Sequence, residues 1–188
     1  MPTTSASNAI DFLTIVERLK RTKRTGWINN GINGPESIAD HMHRMGIMAM
    51  LIEDGTLDRN RCIKMAIVHD LAESLVGDIT PHDGVSKEEK RKLEADAMEQ
   101  LVQTLGMSEH AKEIQALWLE YENGETNEAK LVFDLDKCEM ILQALEYEKS
   151  DAKALDQFFD STRGVFKHPQ VIAWAEEIYK RRPAANGL

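Results

Sequence analysis

Apolar positions recur at three- and four-residue intervals along nearly the whole chain, and no run of alternating β-branched residues interrupts them. That periodicity predicts an all-α fold, a single helical bundle. Residues 8–20 would place Ile10, Leu13, Val16 and Leu19 on one face. "RTKRTGWINNGINGPES" breaks the pattern with glycines and a proline, and so predicts a long loop of the kind that often carries function. Ser37 and Asp40 have the spacing of a capping box. The helix they open carries Ile38, Met42, Met45, Ala49 and Ile52 on one stripe, with His41 on or beside it and His43 pointing away. A helix over 59–75 should stop near Gly77, and "SKEE" at Ser86 should open another with Leu93, Ala97, Leu101 and Leu105 inward. Further helices are predicted at about 110–122, 127–147 and 155–161, and a last one from Pro169.

The chain's 188 residues fit one domain with a core over about 8–180, and no repeat or interdomain linker divides it. Its longest apolar runs, such as "MGIMAMLI", fall far short of the ~20 residues of a membrane span. A net charge of −9 argues against a polynucleotide or an anionic membrane surface as partner, since both call for a broad basic face. A small anionic ligand would have to be held by local cations. Cys62 and Cys138 lack C-x-x-C spacing and read as buried thiols of a reducing compartment. The start, "MPTTSASNAI", has no secretory features, so an intracellular, cytoplasmic location is expected, or an organelle if a transit peptide has been removed.

The chemistry concentrates in "IVHDLAESLVGD". His69, Asp70 and Glu73 interrupt an apolar helical pattern, with Asp78 just beyond, and burying charges costs several kcal/mol unless something compensates them. A bound cation would. Asp136 likewise falls in register with Ala129, Val132, Phe133, Met140 and Ala144. Alone, His41 reads as a hydrogen-bonded core histidine and Asp136 as an acid paired with an arginine. Joint occurrence with Glu73 and Asp78 favours an ion shared by three helices. A nitrogen and oxygen ligand set suits divalent manganese, cobalt, nickel, iron or zinc. His82 reads as a solvated loop residue, His110 and His168 as surface residues at helix starts, and "SKEEKRKLEAD" as a solvated helix face.

"ESIADH", "VHDLAESLVGD" and "LVFDLDKCEM" resemble the H…HD…D signature of the HD-domain metal-dependent phosphohydrolases, in the spacing of the 5′-deoxynucleotidase branch. The resemblance runs from "RLKRTKRTGW" to about Tyr179. It implies that His41, His69, Asp70 and Asp136 bind the catalytic metal, manganese or cobalt being suited, and that Glu73 positions or deprotonates the attacking water. Asp78 would be a catalytic residue and substrate contact. In eukaryotic members of the branch, Glu73, Asp78 and the Ile79 carbonyl would instead hold a second, magnesium-like ion. Arg24 would contact the phosphate and Trp27 the sugar, although "TG" separates them here and bacterial members have them adjacent. The implied activity is hydrolysis of deoxyribonucleoside 5′-monophosphates, and the implied assembly a homodimer. Two other readings stay open: an HD hydrolase of another small phosphate ester, and a non-catalytic helical interaction protein with a structural metal.

Overall fold

Hydroxyl and carboxylate caps set where the helices begin, in a computed structural model that describes residues 4–182. Ser5 caps α1 (Ala6–Val16), which a single 3₁₀ turn continues to Lys20. A short α2 (Thr25–Asn29) lies inside the predicted loop. Ser37 and Asp40 form the expected reciprocal capping box of α3 (Ile38–Met50), and Asp58 caps α4 (Arg59–Val68). After α5 (Glu73–Val76), Gly77 turns the chain at φ +77°, a backbone conformation other residues adopt only with strain. Ser86, Ser108 and Thr126 cap α6 (Lys87–Thr104), α7 (Glu109–Asn123) and α8 (Asn127–Asp151). Two last helices, α9 (Asp156–Thr162) and α10 (Pro169–Arg181), close the chain. No strand occurs among the described residues, and one isolated bridge pairs Lys23 with Ser37.

The long α8 packs against α3, α4, α7, α9 and α10, and its buried positions lie on most of its circumference, as expected of a central helix. One core cluster gathers Met45, Met65, Leu135, Ile141 and Phe159 around it; a second joins Phe12, Leu19, Ile38, Met98 and Trp118 between α1, α3, α6 and α7. Both cysteines are free and buried, and burial pushes each thiol up to about 12. No helix of the described residues is long and apolar enough to cross a membrane.

Several expectations need correction. In α1 the buried residue is Phe12, while Ile10 and Leu13 are exposed; Leu19, in the 3₁₀ turn that follows, is buried as expected, and Val16 packs against the same cluster. Leu93 is exposed at the start of α6, ahead of the turns that reach the core. Phe133 faces a cavity rather than the core. His168 is mostly shielded, with Nε2 3.5 Å from Asp54 Oδ2. The predicted helix over 59–75 stops at Val68 and resumes at Glu73.

A buried acid outside the site holds the last helix. Asp134 Oδ2 accepts both the Lys167 and His168 backbone N–H groups, each at 2.7 Å, where α10 begins. Asp134→Ala strands two donors and is expected to cost about 2–4 kcal/mol, read as a lower urea midpoint.

Candidate active site

The break in the predicted helix is what gathers the site. From Val68 the chain proceeds through i→i−3 hydrogen bonds: Leu71 N–H to Val68 O at 3.0 Å, Glu73 N–H to Asp70 O and Ser74 N–H to Leu71 O, both at 3.1 Å. Such tight turns bring residues three apart into line, so Asp70 and Glu73 face the same way. His69 caps α4, and its Nδ1–H donates to Ala66 O at 3.0 Å. A carbonyl can only accept, which leaves Nε2 as the lone pair.

Three helices then converge. His41 from α3 and Asp136 from α8 meet His69, their ligating atoms all within 4.8 Å of one another. His41 Nε2 lies 3.3 Å from Asp136 Oδ1 and 3.8 Å from Asp70 Oδ2, which is itself 3.2 Å from His69 Nε2. The two Nε2 atoms are buried without a hydrogen-bond partner. Two buried imidazole nitrogens without a hydrogen-bond partner, beside two carboxylates, fit a divalent transition ion. A second group, Glu36, His41 and Glu139, is as close. It is a hydrogen-bonded set, since Glu139 takes the His41 Nδ1–H and Glu36 accepts from Trp27 Nε1.

Arg24, at the N-cap of α2, places Nη1 3.1 Å from Asp70 Oδ2 and Nη2 3.9 Å from Asp136 Oδ1. Burial opposes ionisation of Asp70, but His69, Arg24 and His41 outweigh it and hold the carboxyl below the usual range. Asp136 is likewise held well below the usual range, Lys137 and His41 outweighing the opposing effect of burial. Tyr121 donates to Asp136 Oδ2 at 3.4 Å, and its ring meets His69 edge-on at 5.0 Å.

Glu73 is 3 % exposed, and its Oε2 has no partner. Burial, then Asp70 and Asp78, push its carboxyl well above the usual range. Asp78 does something the sequence did not foretell: its Oδ2 accepts the Thr25 N–H at 2.6 Å and its carbonyl accepts the Thr25 hydroxyl at 2.8 Å, pinning the start of α2 and so the position of Arg24. Lys90 donates to the Ile79 carbonyl at 3.0 Å, 4.0 Å from Glu73 Oε1 and 3.5 Å from Glu94 Oε1. The Lys90 ammonium thus stands beside Glu73 and the Ile79 carbonyl, two of the three groups expected to hold a second ion. Trp27 is 2 % exposed, donates Nε1 to Glu36 Oε1 at 2.9 Å and packs on Phe158 with ring centroids 4.5 Å apart.

Arg24, His69, Asp70, Glu73 and Asp136 open on one cavity of about 1010 Å³, which Trp27, Phe133 and Phe158 also line. Lys87, Lys90, Arg91 and Lys137 add positive charge to its lining, the local cations that an acidic chain needs to hold an anion.

The HD-domain profile matches residues 16–177. The chain belongs to the HD-domain family. A relative from Dictyostelium discoideum, 5′-deoxynucleotidase HDDC2, is 53 % identical over 189 residues, covering 94 % of this chain and 99 % of its own. The protein of the same name from Xenopus laevis is 48 % identical over 184 residues, covering 96 % and 90 %. Among solved structures, a protein of Pyrococcus horikoshii OT3 superposes with a TM-score of 0.73 at 33 % identity, over 92 % of this chain and 97 % of that one. Membership in this all-α family accords with the helical architecture.

Proposed function

We propose that the protein is a metal-dependent 5′-deoxynucleotidase, hydrolysing deoxyribonucleoside 5′-monophosphates to deoxyribonucleoside and phosphate. The observation that carries this is the convergence of His41, His69, Asp70 and Asp136, the last three lining an open cavity, with the Glu73 carboxyl, its Oε2 unpartnered, beside them. Relatives that match nearly the full chain bear that activity in their names. A purely structural metal would be coordinatively closed, whereas this cluster faces 1010 Å³ of accessible space.

In this reading the four residues hold manganese or cobalt, which lowers the pKa of water and neutralises phosphoryl charge. Glu73 takes the proton of the attacking water, for which a carboxyl raised by burial and by Asp70 and Asp78 is suited. Arg24 turns from Asp70 toward a phosphoryl oxygen, a short swing for a guanidinium at the cavity wall. Asp78 acts by fixing Thr25 and hence Arg24. A magnesium ion at Glu73, Asp78 and Ile79 would require Lys90 to leave the Ile79 carbonyl. A homodimer is part of the proposal, supported by Ile47, Met50 and Leu51 exposed at the end of α3; a monomer mass by light scattering would refute it. So is a cytoplasmic location, which two buried free thiols suit.

The deciding experiment is phosphate release from a panel of nucleotides by stripped protein, with each metal added back. Activity with Mn²⁺ or Co²⁺ confined to deoxynucleoside monophosphates supports the reading; full activity in chelator after verified metal removal rejects it. The cavity keeps one competitor in view, because its volume lies at the top of the range for small-ligand pockets, ~300–1,000 Å³. A larger phosphate ester would fit, and the panel includes such esters.

Sugar selectivity tests the loop. Trp27 is core-packed, so Trp27→Phe is the variant of choice; truncation to Ala would cost about 3–5 kcal/mol. Shrinking the indole is expected to raise kcat/KM for AMP relative to dAMP, whereas Arg24→Ala should lower both alike. An unmoved ratio in Trp27→Phe would remove the indole from sugar discrimination.

A further inference from the structure

Behind the ligand cluster lies a polar seam that the reaction does not touch. His41 donates Nδ1–H to Glu139 Oε2 at 2.6 Å, and both side chains are fully buried. The other oxygen, Oε1, accepts from Arg44, with Nε at 2.7 Å and Nη2 at 2.6 Å. Arg44 continues outward: Nη2 donates to Gln143 Oε1 at 2.5 Å and Nη1 to Glu146 Oε2 at 2.7 Å. The sequence spacing builds this seam. His41 and Arg44 are three apart on α3, while Glu139, Gln143 and Glu146 are spaced four and three apart on α8, so each set presents one face. Asp136, three residues before Glu139, shares that face and meets the other edge of the same imidazole at Nε2, 3.3 Å away.

We propose that Glu139, clamped by Arg44, is a positioning residue for the ion, fixing His41 with its proton on Nδ1 and its lone pair on Nε2 and strengthening that nitrogen as a donor. This rests on the reading of the cluster as a metal site. The physical case is one of alternatives. A fully buried carboxylate is costly, and an apolar side chain of similar volume would pack between α3 and α8 at no such cost. Without Glu139, Nδ1 would be the second unpartnered nitrogen of a ring whose Nε2 already has no hydrogen bond, and nothing would decide which nitrogen carries the proton. His69 reaches the same end by a cheaper route, its Nδ1–H on the Ala66 carbonyl. The two histidines are thereby made unequal: one is backed by a neutral acceptor, the other by an anion, and the anion-backed ring is the stronger donor.

The test measures Mn²⁺ or Co²⁺ affinity of the full chain by chelator competition, beside the thermal midpoint of the metal-free protein. Glu139→Gln keeps an oxygen for Nδ1–H but removes the charge; Arg44→Gln leaves the carboxylate but releases its clamp. Both are expected to fold and to bind the ion more weakly, Glu139→Gln by about 10–100-fold and Arg44→Gln by less, as for other partners of metal-bound histidines. Glu139→Asp, which restores the charge on a shorter arm, should recover part of the loss. A merely structural role would move the metal-free midpoint and leave affinity alone. Equal affinity in wild type, Glu139→Gln and Arg44→Gln overturns the inference while the metal site stands; a wild-type chain that binds no ion overturns both.

Discussion

Asp136→Ala is expected to abolish stoichiometric metal binding and to lower phosphate release by at least 10³-fold, a loss metal supplementation does not restore within the soluble range. The size follows from what the side chain does. Asp136 supplies an ionised oxygen 3.3 Å from His41 Nε2, and the neighbouring carboxyls do not replace it: Asp70 is already committed, Glu139 is engaged on the far side of His41, and Glu73, raised well above the usual range, would have to give up a proton to do so. Removing it leaves two imidazoles and one carboxylate for a divalent ion, and the catalysis that depends on the ion, often many kcal/mol of charge stabilisation, goes with it. The control lies two residues earlier. Asp134→Ala, which unties α10, should lower stability and leave ion content intact; Asp136→Ala should do the reverse, because Arg24 loses one partner but keeps Asp70 at 3.1 Å. An Asp136→Ala protein that still carries its ion would remove this residue from the ligand set.

The same helix shows what could be read from the chain and what could not. Asp136 was legible because it breaks an apolar row, and His69, Asp70 and Glu73 because they do so together; buried charge is conspicuous in a periodic pattern. Glu139 is as deeply buried, yet it sits in "DKCEM" next to a helix rich in surface acids, where period alone does not separate an inward glutamate from a solvated one. Its signal was the three-residue spacing from Asp136. Lys90 looked like one charge of a solvated face, and only the path of the chain after Gly77 brings the Ile79 carbonyl to its ammonium. Trp27 was expected against a sugar and is largely core, packed on Phe158 and Tyr147, with the cavity meeting its edge. The fold itself was legible through its caps: Ser37, Ser86 and Pro169 mark helix starts where they were expected. The interruption of 59–75 was not, since the residues there have helical period and the tightening to i→i−3 bonds is set by packing around the site.

Glu73→Gln should separate catalysis from both binding and stability. The amide is nearly isosteric with the acid, so the four-residue cluster keeps its ion and KM changes little, but Gln cannot accept a proton; kcat should fall by about 10²–10⁴, the usual worth of a general base. Stability should move the other way. Burial and the neighbouring Asp70 and Asp78 raise the Glu73 carboxyl well above its ordinary value of 4.5, so the folded metal-free chain holds a proton there that the unfolded chain releases. A raised acid makes the folded state the greater proton binder, and its contribution to stability is therefore lost as pH rises above 4.5 toward the folded value. Gln has no proton to lose. In metal-free protein the variant should accordingly gain thermal stability over wild type at pH 8 and show little difference near pH 4, a stabilised and inactive enzyme in which the strain of a buried carboxyl has been relieved along with its use. Measuring kcat, ion content and the thermal midpoint on one preparation tests the three limbs together. A near-normal kcat would dismiss Glu73 as the base, and loss of the ion with unchanged kcat per bound ion would make it a ligand instead.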